Sequence, residues 1–462
     1  MIQSIHDVKQ PFFIGIAGTG MSALAQYLYG IGKQVSGSDR YFTSESKHEI
    51  QAQLEQEGIK CFLQNGEGIT SATDLVVVST AVEETVPEVM QARAMNIPII
   101  KRSALLALIA RSKKTIAVGG TSGKSTTSAM LFEILQYAGM DPGIISGAGL
   151  VSIMQKGKIG NAWVGKGDWL VIEADESDGS IVQYEPEASI LLNIDKDHKE
   201  VNELMDIFNL FRSHTRSYFV VNRSHPLAAS LSKDAATDFS FDPSDNSGYH
   251  ATNFHQQGMQ IRFSLNGVPF SLQVAGKHNM ENAVAAATLA ACIGVPLKVS
   301  ATALASYAGI YRRHQLLGKK HDIWVIDDYA HNPAKCAASI AACQPIAPKV
   351  VAWFQPHGFA PTRFLKDDFI REIAAVLRPQ DEIWMSEIYY AGGTTVKDIS
   401  AEHLIKGIAN TGKHAYFVPD RNDLLKAIQS HLTPPCVLLL MGARDPGLEK
   451  FAASVWEGIS EQ

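Results

Sequence analysis

The stretch Thr115 to Met130, TIAVGGTSGKSTTSAM, constrains this chain more than any other. A β-rich run, Thr115 to Val118, empties into Gly119-Gly120-Thr121-Ser122-Gly123-Lys124-Ser125, and a helix-forming segment follows from Thr126 to Ala138. Strand, glycine loop, Lys-Ser and helix in that order read as a phosphate cradle. The glycines let backbone N–H groups turn toward an anion, the helix N-terminus adds partial positive charge, Lys124 can reach a β- or γ-phosphate, and Ser125 offers a hydroxyl to Mg²⁺. The general P-loop pattern puts its first glycine where Val118 stands, so this loop is a shorter relative.

Upstream, the strand-like run Phe12 to Ala17 ends in Gly18-Thr19-Gly20, with Ala23 as the third small residue and a helix expected from Met21 to Tyr29. Strand Gln34 to Ser36 follows, and Asp39 stands about 20 residues past the glycines, near the dinucleotide spacing in which an acid takes a ribose hydroxyl. The same residues also suit a tight strand-to-helix turn that binds nothing, with Asp39 as a cap. Further alternation predicts helix Glu45–Gln56, strand Asp74–Ser79, helix Glu84–Met95 and strand Ile97–Ile100, hence a parallel sheet with ligands at the carboxyl ends of its strands. Ser79-Thr80-Ala81 and Lys101-Arg102 stand at two such ends.

After the glycine loop, strand Asp168–Ile172 discharges into Glu173-Ala174-Asp175-Glu176-Ser177-Asp178, and strand Ala188–Leu192 into Asn193-Ile194-Asp195-Lys196-Asp197-His198. Acids and a histidine on two strand ends beside a phosphate loop suit a Mg²⁺-nucleotide site. Alone, the acids read more often as a solvated loop, and His198 as a surface or cap histidine; the position of the acids beside the phosphate loop reverses the balance for them. Segment 240–274 reads as hairpins turning at Asn266-Gly267. Gly276-Lys277-His278-Asn279-Met280-Glu281-Asn282 then opens an Ala-rich helix to Cys292, in which Asn279 also suits an N-cap. Beyond the Arg312-Arg313-His314 seam a third βα series begins: strand Ile323–Ile326 before Asp327-Asp328-Tyr329-Ala330-His331, strand Val350–Phe354 before Gln355-Pro356-His357, a helix Phe364–Ala375, and strands near 382, 415 and 436.

A chain of 462 residues exceeds one ordinary core, so two or three domains are expected, and boundaries near Ser103 and Gly309 divide it into 1–103, 104–309 and 310–462. A net charge of −6 without a Lys/Arg block argues against nucleic acid. Five scattered cysteines without CxxC pairs argue for reduced thiols. With no apolar run of the ~18 residues that a membrane span needs, and no secretory pattern at the N-terminus, the expectation is a cytoplasmic protein without a membrane partner, monomer or homodimer.

With these pieces in order, the chain resembles the Mur ligase family over almost its full length, and within it the branch that joins L-alanine to UDP-N-acetylmuramate. The matching pieces are Gly15 to Ser22, Ser36-Gly37-Ser38-Asp39, Gly120 to Ser125, Glu173 to Asp178, Asn193 to His198, Gly276 to Asn279 with Asn282, Arg312-Arg313, Asp327 to His331 and Phe354 to His357. The resemblance implies three α/β domains: a Rossmann-like N-terminal domain for the UDP end of the substrate, a central P-loop ATPase-type domain, and a Rossmann-like C-terminal domain that closes over both. It implies an ATP- and Mg²⁺-dependent ligase of peptidoglycan precursor synthesis, in which the substrate carboxylate takes the γ-phosphoryl group of ATP and an amine displaces phosphate from the acyl phosphate.

The roles the resemblance implies follow residue by residue. Gly120, Thr121, Ser122, Gly123, Lys124, Ser125 and Thr126 would hold the phosphates, with Ser125, Glu173 and His198 on metal. Asn279 and Asn282 would frame the adenine, Arg313 would reach the nucleotide, Asp328 would take its ribose, and His331 would lie beside them. Gly18, Gly20, Asp39 and Ser79 would line the UDP site, with Thr19, Met21, Ser38, Thr80, Arg102, His357 and Arg363 also binding substrate. Lys124, Glu173, His198 and Arg313 are the expected catalytic set. Glu176 receives no role. Phe211-Arg212-Ser213 lacks the carbamylated lysine of other family branches, as this branch does.

Three departures stand out. Ser122 and Ser125 replace the usual His and Thr of the L-alanine branch, and Tyr329-Ala330-His331-Asn332 mixes its pattern with that of a peptide-recycling relative. Gly358 and Pro361 stand where that branch places arginines, one of which would grip the amino-acid carboxylate. Arg363 or Arg444 could substitute, or the acceptor could be another amino acid or a peptide. Two rival classes, a nicotinamide oxidoreductase built on Gly18, Gly20 and Asp39 and a non-catalytic nucleotide-binding scaffold, leave Lys124, Glu173 and His198 without a task.

Overall fold

In a computed structural model that describes residues 2–79, 82–177, 179–195, 199–242, 244–245, 247–390 and 396–461, the chain forms four sheets. The first holds β1 (Pro11–Ile14), β2 (Ser36–Ser38), β3 (Lys60–Phe62), β4 (Leu75–Val78) and β5 (Ile99–Lys101), all parallel, in the order 3-2-1-4-5. A parallel sheet covered on both faces needs strands apolar at every position. PFFI of β1 is buried throughout, with its proline at the strand start where the missing N–H is tolerated.

The second sheet holds β6 (Lys114–Gly119), β7 (Gly143–Ile145), β8 (Ala162–Trp163), β9 (Trp169–Glu173), β10 (Ala188–Leu191) and β11 (Tyr218–Val221), in the order 11-10-6-9-7-8. Only β8 runs antiparallel. The central strand β6 thus ends between β9 and β10, and the residues that follow all three meet at one edge. A third sheet, β12 (Phe239–Ser240), β13 (Tyr249–Gln257), β14 (Gln260–Leu265) and β15 (Val268–Leu272), turns at Asn266-Gly267 as expected, both residues having positive φ (46° and 78°).

By compactness the chain forms two units. One comprises residues up to Phe254 with Arg262–Leu272 and His278–Ile310; the other comprises His255–Ile261, Gln273–Lys277 and the chain from Tyr311 onward. The second unit carries β16 (Gln315–Lys320), β17 (Ile323–Asp328), β18 (Lys349–Gln355), β19 (Glu382–Met385), β20 (His414–Phe417) and β21 (Cys436–Gly442), in the order 16-17-21-18-19-20, parallel except for β16. Alternate residues of β18 serve its two faces: Val350, Ala352 and Phe354 join one apolar cluster, Val351 and Trp353 the other.

In the first unit a single apolar core runs through both of its parallel sheets, from Phe13, Leu24 and Leu105 to Ile172, Phe208 and Phe211. A buried carboxamide fixes the joint. Asn161, 1% exposed, donates to the Thr19 carbonyl (2.7 Å) and to Ser22 Oγ (2.9 Å), and accepts from Gln26 Nε2 (2.7 Å). It therefore grips the first two turns of the Thr19–Gly30 helix from the second sheet's side.

Several local expectations change. The phosphate-loop helix begins at Lys124 rather than Thr126, because the left-handed Gly123 ends the loop two residues earlier. The position near Ser103 lies inside a helix, Arg102–Arg111, whose apolar run SALLALIA packs into the shared core. The single helix expected over Phe364–Ala375 is two, Phe359–Phe364 and Lys366–Val376, broken at Leu365. Strands β3, β7 and β8 are too short to show a period in the sequence. Among the described residues no helix is long and apolar enough to cross a membrane, and all five cysteines are free.

Asn161→Ala leaves buried groups of the Thr19–Gly30 helix without partners, and a loss of roughly 2–4 kcal/mol is expected on denaturant unfolding of the first unit. An unchanged unfolding midpoint would show that this joint carries no stability.

Candidate active site

At the end of β6 the backbone turns through Gly120 (φ +134°) and Gly123 (φ +86°), conformations that L side chains rarely adopt. A Cβ on Gly123 would lie 2.5 Å from Asn282 Oδ1, so the loop also needs glycine for space. Lys124, Ser125 and Thr126 then open the Lys124–Tyr137 helix, where unpaired N–H groups and the helix dipole favour an anion. The loop is braced on both sides. Asn193, after β10, accepts from Thr121 Oγ1 (2.9 Å) and the Ser122 amide (2.8 Å), and the Asp195 amide donates to Thr121 Oγ1 (3.0 Å). From the Lys277–Cys292 helix, Asn282 Oδ1 accepts from Thr127 Oγ1 (3.2 Å). Asn279 is buried on the same helix.

Glu173, the last residue of β9, reaches the loops after both neighbouring strands. Its Oε2 accepts from Ser125 Oγ (2.9 Å), while Oε1 accepts from Ser146 Oγ and the Gly147 amide, each at 2.7 Å. Ser146 and Gly147 were not legible as site residues, since the strand before them has three residues; the glycine-rich GIISGAG run was the only signal. Magnesium prefers oxygen ligands and is held by one or two carboxylates together with substrate phosphates. Ser125 Oγ and Glu173 Oε2, side by side on a phosphate loop, suit that requirement. Among the described residues no group of three or more His, Cys, Asp and Glu forms a metal set; His198 and Thr80 lie outside the described residues.

Lys124 Nζ donates to Glu176 Oε2 (2.7 Å) and to the Gly120 carbonyl (2.8 Å). The side chains are 17% and 5% exposed, so this is a pair largely removed from water. Burial pushes the Glu176 carboxyl above the ordinary range, with the Lys124 ammonium pulling the other way. For its neighbour Asp175 burial also pushes up, yet Lys124, the amide and hydroxyl of Ser177, and Arg102 outweigh it and hold that carboxyl low. Arg102 packs on the other glycine turn: a Cβ on Gly20 would lie 3.0 Å from its guanidinium.

That turn is built by backbone. Gly15 and Ile16 amides donate to the Ser38 carbonyl (2.8 and 3.0 Å), and a Cβ on Gly37 would lie 2.6 Å from the Phe13 carbonyl oxygen. Gly18 caps the helix that Thr19, Gly20 and Met21 begin. Asp39, 4% exposed, accepts from the Ala17 amide (2.9 Å) and the Tyr41 amide (3.1 Å). One oxygen therefore holds the glycine turn and the other the chain just after Asp39, tasks the spacing to the glycines does not reveal. Ser38 is buried, and Ser79 follows β4 at the same sheet edge as the Gly15–Gly20 turn.

In the second unit Arg312 makes the buried ion pair, to Asp327 (2.8 Å) and to the Gly442 carbonyl (3.0 Å), while Arg313 lies over the Tyr329 ring, 4.9 Å from its centroid. Asp328 Oδ1 accepts from the His314 amide (3.1 Å). His331 Nδ1 meets the Tyr329 carbonyl (2.9 Å), and its ring lies 5.7 Å from that of His357. Arg363 is spent on the surface, paired with Asp398 and the Val396 carbonyl. Gly358 caps the Phe359–Phe364 helix with φ +74°.

Burial, His331 and Arg444 together push His357 down from 6.5 to about 4. The folded chain then holds fewer protons than the unfolded one between those values, so the histidine costs stability as pH falls from 6.5 toward 4. In His357→Gln this part of the slope is expected to vanish in urea midpoints taken across that range. Parallel wild-type and variant curves would contradict it.

Three models of the family match consecutive segments: "Mur ligase family, catalytic domain" over residues 12–114, "Mur ligase middle domain" over 118–290 and "Mur ligase, glutamate ligase domain" over 312–444. The chain is 32% identical over 455 residues to a UDP-N-acetylmuramate–L-alanine ligase of Sorangium cellulosum, covering 95% of this chain and 94% of that one. A protein of the same name from Carboxydothermus hydrogenoformans is 33% identical, covering 96% and 95%. The crystal structure of UDP-N-acetylmuramate-alanine ligase from Thermotoga maritima superposes with a TM-score of 0.80 at 26% identity, covering 98% of this chain and 99% of that one. Matched by three consecutive family models and by relatives about a third identical along nearly its whole length, the chain belongs to the Mur ligase family.

Proposed function

We propose that this chain is an ATP-dependent ligase that joins the lactyl carboxylate of UDP-N-acetylmuramate to an amine, that of L-alanine by the names its relatives carry. The observation that carries the reading is the meeting of Lys124, Ser125 and Glu173 at the carboxyl edge of one parallel sheet, with spacings that suit a metal-bound triphosphate. Lys124 offsets charge on the phosphoryl group in transfer, and the glycine-loop amides orient it. Mg²⁺, when bound by Ser125 and Glu173 with His198 as a second-site ligand, supplies charge neutralisation. A carboxylate oxygen attacks the γ-phosphorus and ADP leaves; the amine attacks the acyl carbon, phosphate leaves, and the nitrogen loses a proton.

In the same reading, Gly18 to Met21 with Ser38, Ser79, Thr80 and Arg102 take the UDP end, on a helix N-terminus suited to a diphosphate. Asn279, Asn282, Arg313, Asp328 and His331 are assigned to the nucleotide, and His357 to the acceptor side. A second reading concerns the acceptor alone. Gly358 and Pro361 supply no cation, and Arg363 is paired with Asp398, which favours an acceptor other than free L-alanine, or L-alanine held by another group such as Arg444.

Incubation with UDP-N-acetylmuramate, ATP, Mg²⁺ and a mixed pool of amino acids and short peptides, read by mass spectrometry, is expected to give one ligated product, and Lys124→Ala to lower turnover by about a hundredfold or more. No ligated product with any amine, or full turnover in that variant, would contradict the proposal; product from L-alanine alone would remove the altered acceptor and leave L-alanine held by another group.

A further inference from the structure

Glu176 has no task in the reaction as described, yet it makes the closest contact to the phosphate-loop lysine. Its carboxylate lies 2.7 Å from Lys124 Nζ, with only 5% of its side chain exposed. The ammonium's other partner is the Gly120 carbonyl at 2.8 Å, so the lysine is folded back over its own loop with one charged and one neutral acceptor.

Such a pair can serve two ends. If it only fastened the loop, a neutral acceptor of the same shape would do nearly as well, because the bond to Gly120 remains. If it regulates how much of the ammonium's charge an incoming anion receives, the charge on Glu176 is what matters. Two features favour the second. Glu176 is buried, and a buried carboxylate left without its cation is costly, so an anion that draws Lys124 away must work against that cost. The loop's fastening is already provided elsewhere, by Asn193 on Thr121 and Ser122 and by Asn282 on Thr127.

We propose that Glu176 is a positioning residue that holds Lys124 over the glycine loop and competes with the triphosphate for its ammonium, weakening nucleotide binding in the ground state while fixing the lysine where the transferring phosphoryl group needs it. Ground-state affinity is thereby traded for turnover, since binding that is equal in ground and transition states does not raise kcat. The inference rests on the reading of Lys124 as the phosphate lysine.

The test uses the full chain with Mg²⁺ and a non-hydrolysable ATP analogue in calorimetry, beside kcat for the ligation. In Glu176→Gln the analogue is expected to bind about fivefold more tightly, the difference between a charge-assisted and a neutral hydrogen bond, while kcat falls. Glu176→Asp keeps the charge and is expected to bind the analogue no more tightly than wild type. Unchanged or weaker binding in Glu176→Gln, with its thermal midpoint intact, would overturn the inference, as would equal tightening in both variants. Lys124→Ala is run alongside: if it binds the analogue as wild type does, the reading of the lysine itself fails, whereas weakened binding there with no tightening in Glu176→Gln removes only the role of Glu176.

Discussion

Everything at the candidate site depends on one carboxylate at the end of one strand. Glu173 closes β9, with β6 on one side and β7 on the other, and its two oxygens bind the loops that follow both: Ser125 from the first, Ser146 and Gly147 from the second. An acid at a strand end is ordinarily free to point into water. Here three donors fix it, so the hydroxyl of the phosphate-loop serine and a carboxylate oxygen stay 2.9 Å apart. Parallel pairing makes this possible, because it brings the carboxyl ends of neighbouring strands to one edge.

Around that carboxylate the charges are arranged in opposition. Lys124 faces Glu176 directly, and Asp175 is held low by Lys124, Ser177 and Arg102 after burial pushes it up. Arg102 also packs on Gly20 in the turn that heads the first sheet. The two glycine turns of the first unit therefore each carry a cation, and Asp175 lies within the field of both. Asn161 and the shared apolar core hold the sheets that present them, a division of labour in which packing sets the distances and the few buried polar groups set the orientations.

The phosphate loop was legible because its glycines, lysine and serine must follow one another at fixed offsets between a strand and a helix, so local sequence carries the geometry. The strand-end acids were legible for the same reason. What escaped was non-local. Ser146 and Gly147 serve Glu173 from a strand of three residues, Asn193 braces a loop some seventy residues away in sequence, and Asn161 acts from a segment without a period of its own. The spacing of Asp39 fits a ribose ligand; that its oxygens also accept from the Ala17 and Tyr41 amides is not written in that spacing. Arg312 and Arg313 look alike in sequence and both lie near the Tyr329 ring; only the fold shows that Arg312 is also tied into a buried ion pair with Asp327.

In the proposed reaction Lys124 and Ser125 of the phosphate loop, with Glu173 at the end of β9, activate a carboxylate by passing it a phosphoryl group. The most direct measurement follows oxygen. With UDP-N-acetylmuramate labelled by oxygen-18 in its lactyl carboxylate, the phosphate released during ligation should carry one labelled oxygen, visible as an isotope shift in its phosphorus resonance. Phosphate released without label while the amide forms would contradict the account, since the carboxylate would then never have been bonded to phosphorus.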